Sequence, residues 1–180
     1  MSRHRLITAL TLGVVLAAAF TRLSAGDDGQ RLLSIDHYVA VQSTVPAIAG
    51  QPAQIYVRER VLAGAALRGA ASSDRVVLFV HGAGTPAEVA FDVPYQDYSW
   101  MAYFARAGFD AFAMDTTGYG RSTRPAPMND PCNLAKDRQA PFVKAACAPS
   151  YPHQLTTIAS DWDDIGAAVD RIRALRHVDK

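Results

Sequence analysis

Residues 76–86 read VVLFVHGAGTP, and this stretch decides which fold the chain can adopt. The first five residues, Val76 to Val80, are all apolar and show no alternation with polar positions. Such a run is typical of a strand that is buried on both faces, as in a parallel sheet. The strand then ends in a histidine and glycines, at the place where α/β proteins bind their ligands. The stretch therefore predicts a central strand whose carboxyl end belongs to a functional site.

The loop formed by His81, Gly82, Ala83 and Gly84 can supply chemistry through its backbone. Glycine permits backbone geometries that are closed to other residues and lets a ligand approach closely. Free N–H groups in such a loop can stabilise a developing oxyanion. A tight structural turn with a hydrogen-bonded histidine is the alternative interpretation of the same residues.

Two segments upstream predict a β-hairpin. Residues 35–45, IDHYVAVQSTV, are rich in β-branched residues, and residues 54–62, QIYVRERVL, alternate apolar and polar side chains. Alternation is typical of a strand with one buried and one exposed face. We therefore expect residues 54–62 to form a half-exposed strand that pairs with the first.

Two helices and one more strand follow the HGAG loop. Residues 97–108 predict a helix that begins after Asp97 or Ser99 and ends at Gly108, and residues 109–115 predict a strand. The apolar face of that helix is predicted to contain Trp100, Tyr103, Phe104 and Ala107. The closing segment predicts a longer amphipathic helix, with an apolar face made of Ile158, Trp162, Ile165, Val169, Ile172 and Leu175. Tyr95, Tyr98 and Trp100 could line a substrate pocket beside the HGAG loop or pack in the core.

Charged residues at both ends of the closing helix suit its dipole. Acidic residues stand near its start and basic residues near its end, namely Asp161, Asp163, Asp164, Arg171, Arg173 and Arg176. Neighbouring acids on a helix point apart, so they do not predict a metal site. The whole order predicts an α/β fold with a mostly parallel sheet, helices on both faces, about four strands and two main helices.

The amino terminus has the pattern of a signal peptide. A basic start is followed by an apolar run from Leu6 to Phe20 and then by small residues up to Ala25. We expect residues 1–25 to be removed on export to the periplasm or medium and residues 26–180 to form one domain. A retained membrane anchor is the alternative, although the apolar run is shorter than the roughly 18 residues of a spanning helix.

The composition of the chain bears on which ligands and metals it is expected to bind. A net charge of +1 gives no electrostatic reason to expect nucleic-acid binding. The only two cysteines, Cys132 and Cys147, have no zinc-site spacing. In an oxidising compartment we expect them to form a disulfide across the proline-rich segment 125–152, although two buried free thiols are the alternative. We expect no metal and no cofactor.

With the second glycine motif, DTTGYGRS at residues 115–122, the chain resembles the α/β-hydrolase superfamily. The matching pieces are FVHGAG, WMAYFARAGFDAFAMD and DTTGYGRS, and the resemblance extends from Ile35 to Lys180. It implies an oxyanion hole that uses the backbone N–H of Ala83, and a structural role for His81. It also implies that Asp115, Gly118, Gly120 and Ser122 shape the turn after the fourth strand.

The catalytic triad of such a hydrolase is missing from these residues. The nucleophile elbow, G-x-S-x-G, occurs nowhere in the sequence, and Ser122 in GYGRS does not fit it. Thr117 replaces an arginine common in the epoxide hydrolase and dehalogenase branch, and Gly84 replaces a proline, which favours a serine hydrolase. The resemblance thus implies the amino-terminal half of an exported hydrolase acting on a small molecule. An inactive or partner-dependent binding module is the alternative.

Overall fold

The computed structural model describes residues 30–68, 75–96 and 98–178. The predicted signal peptide and the Asp97 cap lie outside the described residues. The strands are β1 (Leu32–Gln42), β2 (Pro52–Leu62), β3 (Val76–Val80) and β4 (Asp110–Met114). The helices are α1 (Ala63–Arg68), α2 (Ala87–Phe91), α3 (Trp100–Arg106) and α4 (Ile158–Arg176).

The four strands form one sheet in the order β1-β2-β4-β3. The predicted hairpin is confirmed, because β1 and β2 pair antiparallel along their whole length. β2 also pairs antiparallel with β4, and only β3 and β4 are parallel. The α/β class is therefore confirmed, but the mostly parallel arrangement is not, since the reversed strand β2 lies between β1 and β4 and makes both of its pairings antiparallel.

The central position of β2 overturns the prediction that it is half exposed. Its polar face is covered as well as its apolar face, and Tyr56 is completely buried. The Tyr56 hydroxyl donates to Asp36 Oδ1 at 2.7 Å, and Arg58 Nε donates to Asp92 Oδ2 at 2.6 Å. The alternating polar side chains of β2 therefore lie on a face covered by α2 and α3, where they pair with other polar groups. They do not lie on a face exposed to water.

Apolar cores lie on both faces of the sheet. On one face, Ala168 and Ile172 of α4 pack against the sheet residues Ile55, Val57, Phe112 and Met114. On the other face, Ala87 of α2 and Met101 of α3 pack against Ala111 and Ala113 of β4. Because β4 contributes alternate residues to the two cores, it is buried along its entire length.

The buried face of α3 differs from the predicted one. Met101, Ala102 and Ala105 are buried, and Phe104 packs beside them. Trp100 and Tyr103 are instead exposed. Small side chains and a flexible methionine let α3 lie close to the alanine-rich strand β4, so the bulky aromatic rings remain on the outside. Ser99 caps the helix by accepting from the Ala102 N–H, as the sequence had allowed.

The buried face of α4 also differs from the predicted one. Every fourth residue is buried, in the series Ser160, Asp164, Ala168, Ile172 and Arg176. Two of the predicted core residues, Ile158 and Trp162, are 76% and 70% exposed. Three polar side chains take their place because each finds a hydrogen-bond partner inside the protein, which removes the usual cost of burial. Thr157 caps α4 through a reciprocal capping box with Ser160.

A cluster of charges fastens the end of α4 to the sheet. The Arg176 guanidinium pairs with both Glu59 of β2 and Asp110 of β4, and Glu59 also bonds His37 Nε2 at 2.7 Å. Burial, followed by the nearby Glu59 charge, raises the pKa of Asp110 to about 7. Burial alone would raise the pKa of Glu59, but the His37 hydrogen bond and the Arg176 charge lower it overall.

The predicted disulfide is confirmed: Cys132 and Cys147 are bonded, with their Cα atoms 5.3 Å apart. It closes the loop between β4 and α4, which contains three short 3₁₀ helices, Ala126–Asn129, Pro131–Asn133 and Lys136–Arg138. The buried Gln139 amide fills this loop. It donates to the carbonyls of Cys132, Leu134 and Cys147 and accepts from the Cys147 N–H.

Across residues 30–68, 75–96 and 98–178, no helix is both long enough and apolar enough to cross a membrane.

Candidate active site

The two glycine motifs meet at one edge of the sheet. Val80 of β3 and Met114 of β4 are paired in parallel register, so His81 and Asp115 leave the sheet side by side. A cleft of about 380 Å³ opens between these loops and the start of α4. It is lined by Val80, His81, Gly82, Ala83, Thr116, Tyr119, Thr156, Asp161 and Ile165.

His81 ties the two loops together. Its Nε2 accepts a hydrogen bond from the Thr116 N–H at 3.2 Å, which leaves the ring proton on Nδ1. Nδ1 then donates to the Gly82 carbonyl at 2.8 Å. Both ring nitrogens are therefore occupied by backbone groups, and the geometry gives His81 a role in holding the loop.

Tyr119 supports the same loop from the second motif. Its ring centroid lies 4.5 Å from that of His81, and its hydroxyl accepts from the Gly84 N–H at 3.4 Å. Gly84 has a φ of 96°, in the left-handed region that favours glycine. No sequence signal marked Tyr119, because its position between two glycines is also typical of an ordinary turn.

The Ala83 N–H is an unpaired group of this loop. Ala83 is exposed and lines the cleft, and among the described residues no acceptor takes its N–H. An unpaired backbone donor at the carboxyl end of a sheet strand is the kind of group that can receive an oxyanion.

Asp115 fixes the relative position of the two loops through hydrogen bonds from the backbone on either side. Its buried carboxylate accepts the Ala87 N–H at 2.7 Å through Oδ1 and the Arg121 N–H at 2.9 Å through Oδ2. A β-carbon on Gly120 would lie 1.9 Å from Oδ2. Residue 120 therefore has to be glycine for the carboxylate to stay where it is.

Ser122 and Gly118 complete the turn, and neither residue lines the cleft. The Ser122 hydroxyl donates to the Asp115 carbonyl at 2.6 Å and accepts from the Tyr56 N–H at 2.9 Å. Gly118 has a φ of 95°, and a β-carbon there would lie 2.6 Å from Met128 Sδ. Ser122 is buried in backbone contacts and does not line the cleft.

Asp164 is a structural residue that sequence reasoning assigned only to the helix dipole. Its buried Oδ2 accepts the Thr117 N–H at 2.7 Å and so holds the second loop against α4. Burial raises the pKa of Asp164, and the bond from Thr117 opposes this rise. Its four-residue spacing from Ser160 and Ala168 was the available signal, but it requires knowing which face of α4 is buried.

Asp161 lies one turn earlier and lines the cleft itself. Partial burial raises the pKa of this carboxyl, and nearby His81 has the opposite effect. No hydrogen bond to its carboxylate is present in the described part of the chain. Asp163, in contrast, is exposed. Among the described residues, no three His, Cys, Asp or Glu side chains are grouped as metal ligands.

The aromatic residues Tyr95, Tyr98 and Trp100, at and before the start of α3, do not border the cleft. Tyr98 and Trp100 line a separate groove of about 390 Å³ together with Ser99, Tyr103 and Phe104. Tyr95, which is also exposed, stacks obliquely against Tyr98, with ring centroids 5.9 Å apart. The interpretation of these rings as a pocket wall beside the HGAG loop is therefore wrong, and core packing does not hold for them either.

No protein-family model matches the chain, and the search of curated proteins found no significant similarity.

Proposed function

We propose that residues 26–180 are the amino-terminal part of an exported α/β-hydrolase that cleaves carboxylic esters or related acyl compounds. One observation carries this proposal: the unpaired Ala83 N–H at the carboxyl end of β3, in a cleft bounded by the second glycine motif. The basic, apolar, small-residue start of the chain supports export, and the Cys132–Cys147 disulfide is compatible with an oxidising compartment.

Under this proposal the described residues supply electrostatic stabilisation and not the nucleophile. A nucleophile from a later segment attacks the substrate carbonyl carbon, and the carbonyl oxygen becomes an oxyanion that accepts the Ala83 N–H. Collapse of the tetrahedral species expels the alcohol and leaves an acyl-enzyme, which water then hydrolyses. His81, Gly82 and Gly84 hold Ala83 in place.

Gene sequence beyond codon 180 and the intact mass of the protein from its native source test the first half of the proposal. A G-x-S-x-G motif after Lys180 and a mass well above 19.4 kDa are the expected results. A mass at or below 19.4 kDa would exclude a triad and with it the hydrolase proposal.

Ala83→Pro tests the oxyanion donor, because proline has no N–H. We expect kcat for a p-nitrophenyl ester to fall by about 10²–10³ with KM little changed. Ala83→Gly is the matched control: it keeps the N–H and should retain most of kcat. An unchanged kcat in the proline variant would show that Ala83 is not the donor.

A partner-dependent binding module is the second candidate, and the open side of β3 favours it. β3 is an edge strand of the described sheet, with Val80 37% exposed. An exposed apolar edge can take an added strand from another chain. A soluble monomer that hydrolyses no ester but captures an extended peptide would support this function instead.

A further inference from the structure

We propose that Asp161 makes the cleft selective for substrates that carry a cationic group near the scissile ester bond. This inference rests on the proposed hydrolase function, since it concerns the same cleft, and it adds the chemical class of substrate. It depends on where Asp161 lies and on what the other lining groups can and cannot do.

The lining of the cleft contains one formally charged side chain that is not already bonded. Val80 and Ile165 offer apolar surface, and the side chains of Thr116, Tyr119 and Thr156 end in neutral hydroxyls. Among the nine lining residues, Asp161 is the only Asp, Glu, Lys or Arg. A substrate in this cleft therefore meets one carboxylate, and the lining group that interacts with it electrostatically is His81, whose two ring nitrogens already bond backbone groups.

The neighbouring acids show why Asp161 differs from them. Asp164 is buried, and its carboxylate accepts a hydrogen bond from the Thr117 N–H, so it fixes the loop. Asp163 is exposed and does not line the cleft. Asp161 is half buried. Unlike Asp164 it holds no loop in place, and unlike Asp163 it lines the cleft in which a substrate would lie.

Placement of the ester follows from the two walls of the cleft. With its carbonyl oxygen on the Ala83 N–H, a substrate would have one side toward the β3 loop and the other toward α4. A cationic group on the α4 side would pair with Asp161 in partly screened surroundings, while an anionic group there would be repelled.

Three acetate esters of similar size separate charge from shape: the choline ester, its uncharged carbon isostere neohexyl acetate, and anionic acetoxypropionate. We expect the protein, in the form its gene encodes, to prefer the choline ester over neohexyl acetate by about fivefold in kcat/KM, mainly through KM. Asp161→Asn should bring this ratio to about one and improve turnover of acetoxypropionate. Asp163→Asn removes the same charge from the same helix turn and should keep the wild-type ratios.

A binding measurement keeps this inference distinct from the hydrolase proposal. Ethoxyethyl-trimethylammonium, an ether that cannot be hydrolysed, would be titrated calorimetrically into wild type, Asp161→Asn and Asp163→Asn. Binding that only Asp161→Asn weakens, with no ester hydrolysed by wild type, would support the cation site and overturn the hydrolase function. Ester hydrolysis with equal ratios in wild type and Asp161→Asn would overturn the cation site and leave the hydrolase function standing. Neither binding nor hydrolysis would overturn both.

Discussion

The end of the sheet where β4 begins and the end where β4 finishes both bury carboxylates, yet they use them differently. At the beginning, the carboxylates of Glu59 and Asp110 pair with the side chain of Arg176. At the finish, Asp115 and Asp164 accept backbone N–H groups from the loops. The buried carboxylates at the beginning of β4 thus bind a charged side chain, whereas those at its end bind backbone N–H groups and so hold the loops in place.

The two ends therefore differ in whether they can act on a ligand. The side chains of the Arg176 cluster bond one another and leave few hydrogen-bonding groups for a ligand. The cluster therefore contributes to stability. Where carboxylates organise loops, nearby groups stay without a hydrogen bond, here the Ala83 N–H of the first loop and the Asp161 carboxylate of α4. Four variants test this contrast.

Arg176→Met should have the largest effect on stability. It leaves Glu59 and Asp110 buried without their cation, and breaking a buried ion pair in this way costs about 3–5 kcal/mol. Urea unfolding would measure the change. Arg171→Met, on the exposed face of α4, is the matched control and should cost less than about 0.5 kcal/mol. Equal losses in the two variants would contradict the anchoring role of Arg176.

Replacing both cysteines by serine should destabilise the fold and loosen the cleft end most. The chain-entropy model gives a disulfide across a loop of this length about 3 kcal/mol, because the bond restricts the unfolded chain. Urea unfolding would measure this global loss. Native-state hydrogen exchange would locate local loosening: we expect the largest increase in exchange rate around Gln139 and Thr156, beyond the increase in β2 that the global loss causes. Equal increases in both places would show that the disulfide has no local effect at the cleft end.

Gly120→Ala should disturb the cleft end through Asp115. The added β-carbon would collide with the carboxylate, which would have to give up its backbone partners at a cost of about 1–3 kcal/mol. Gly82→Ala is the matched control, because a β-carbon there meets nothing within 4 Å. Thermal unfolding of the two variants should differ clearly. Equal melting temperatures would mean that Asp115 does not constrain residue 120.

The Arg176 cluster should also make stability depend on pH. The folded pKa of Asp110, about 7, lies above the unfolded value of about 3.9, so the folded state binds more protons between these values. The contribution of Asp110 is therefore fully present below about pH 4 and is lost as pH rises through about 7. Asp110→Asn should flatten this slope in urea unfolding measured across the range.

Glu59 acts in the opposite direction at lower pH. Its folded pKa is lowered, so the stability that it contributes is present above its unfolded pKa and is lost as pH falls through the folded value. The two contributions therefore occupy different pH windows. A slope that stays unchanged in Asp110→Asn would assign the pH dependence to another group.

Local patterns were enough to predict several features correctly. The presence of strand β3, the hairpin of β1 and β2, the cap at Ser99 and the pairing of Cys132 with Cys147 all follow from short-range rules or from compartment chemistry. The prediction that β3 is buried on both faces is wrong, because β3 is an edge strand whose residues are partly exposed. Of the candidate site, the sequence alone pointed to the HGAG loop and the DTTGYGRS turn. Both are turns of the backbone, and the spacing of their glycines can be seen in the sequence itself.

The faces of α3 and α4 could not be predicted in the same way. Apolar spacing pointed to Trp100 and Trp162, which the structure exposes. The buried positions instead include Asp164 and Arg176, whose partners lie 47 and more residues away in the chain. Whether a polar residue can be buried depends on those distant partners, which no helical period reports.

Neighbouring residues alone set where strands and glycine turns occur, because a strand period and a left-handed turn depend on short stretches of the chain. Only the tertiary structure decided that β2 would lie between β1 and β4, that Tyr119 would support the HGAG loop, and that Asp161 would line the cleft while Asp163 would not. Each of these depends on segments far apart in the chain arriving at the same edge of the sheet, and packing energy over the whole domain decides that arrangement.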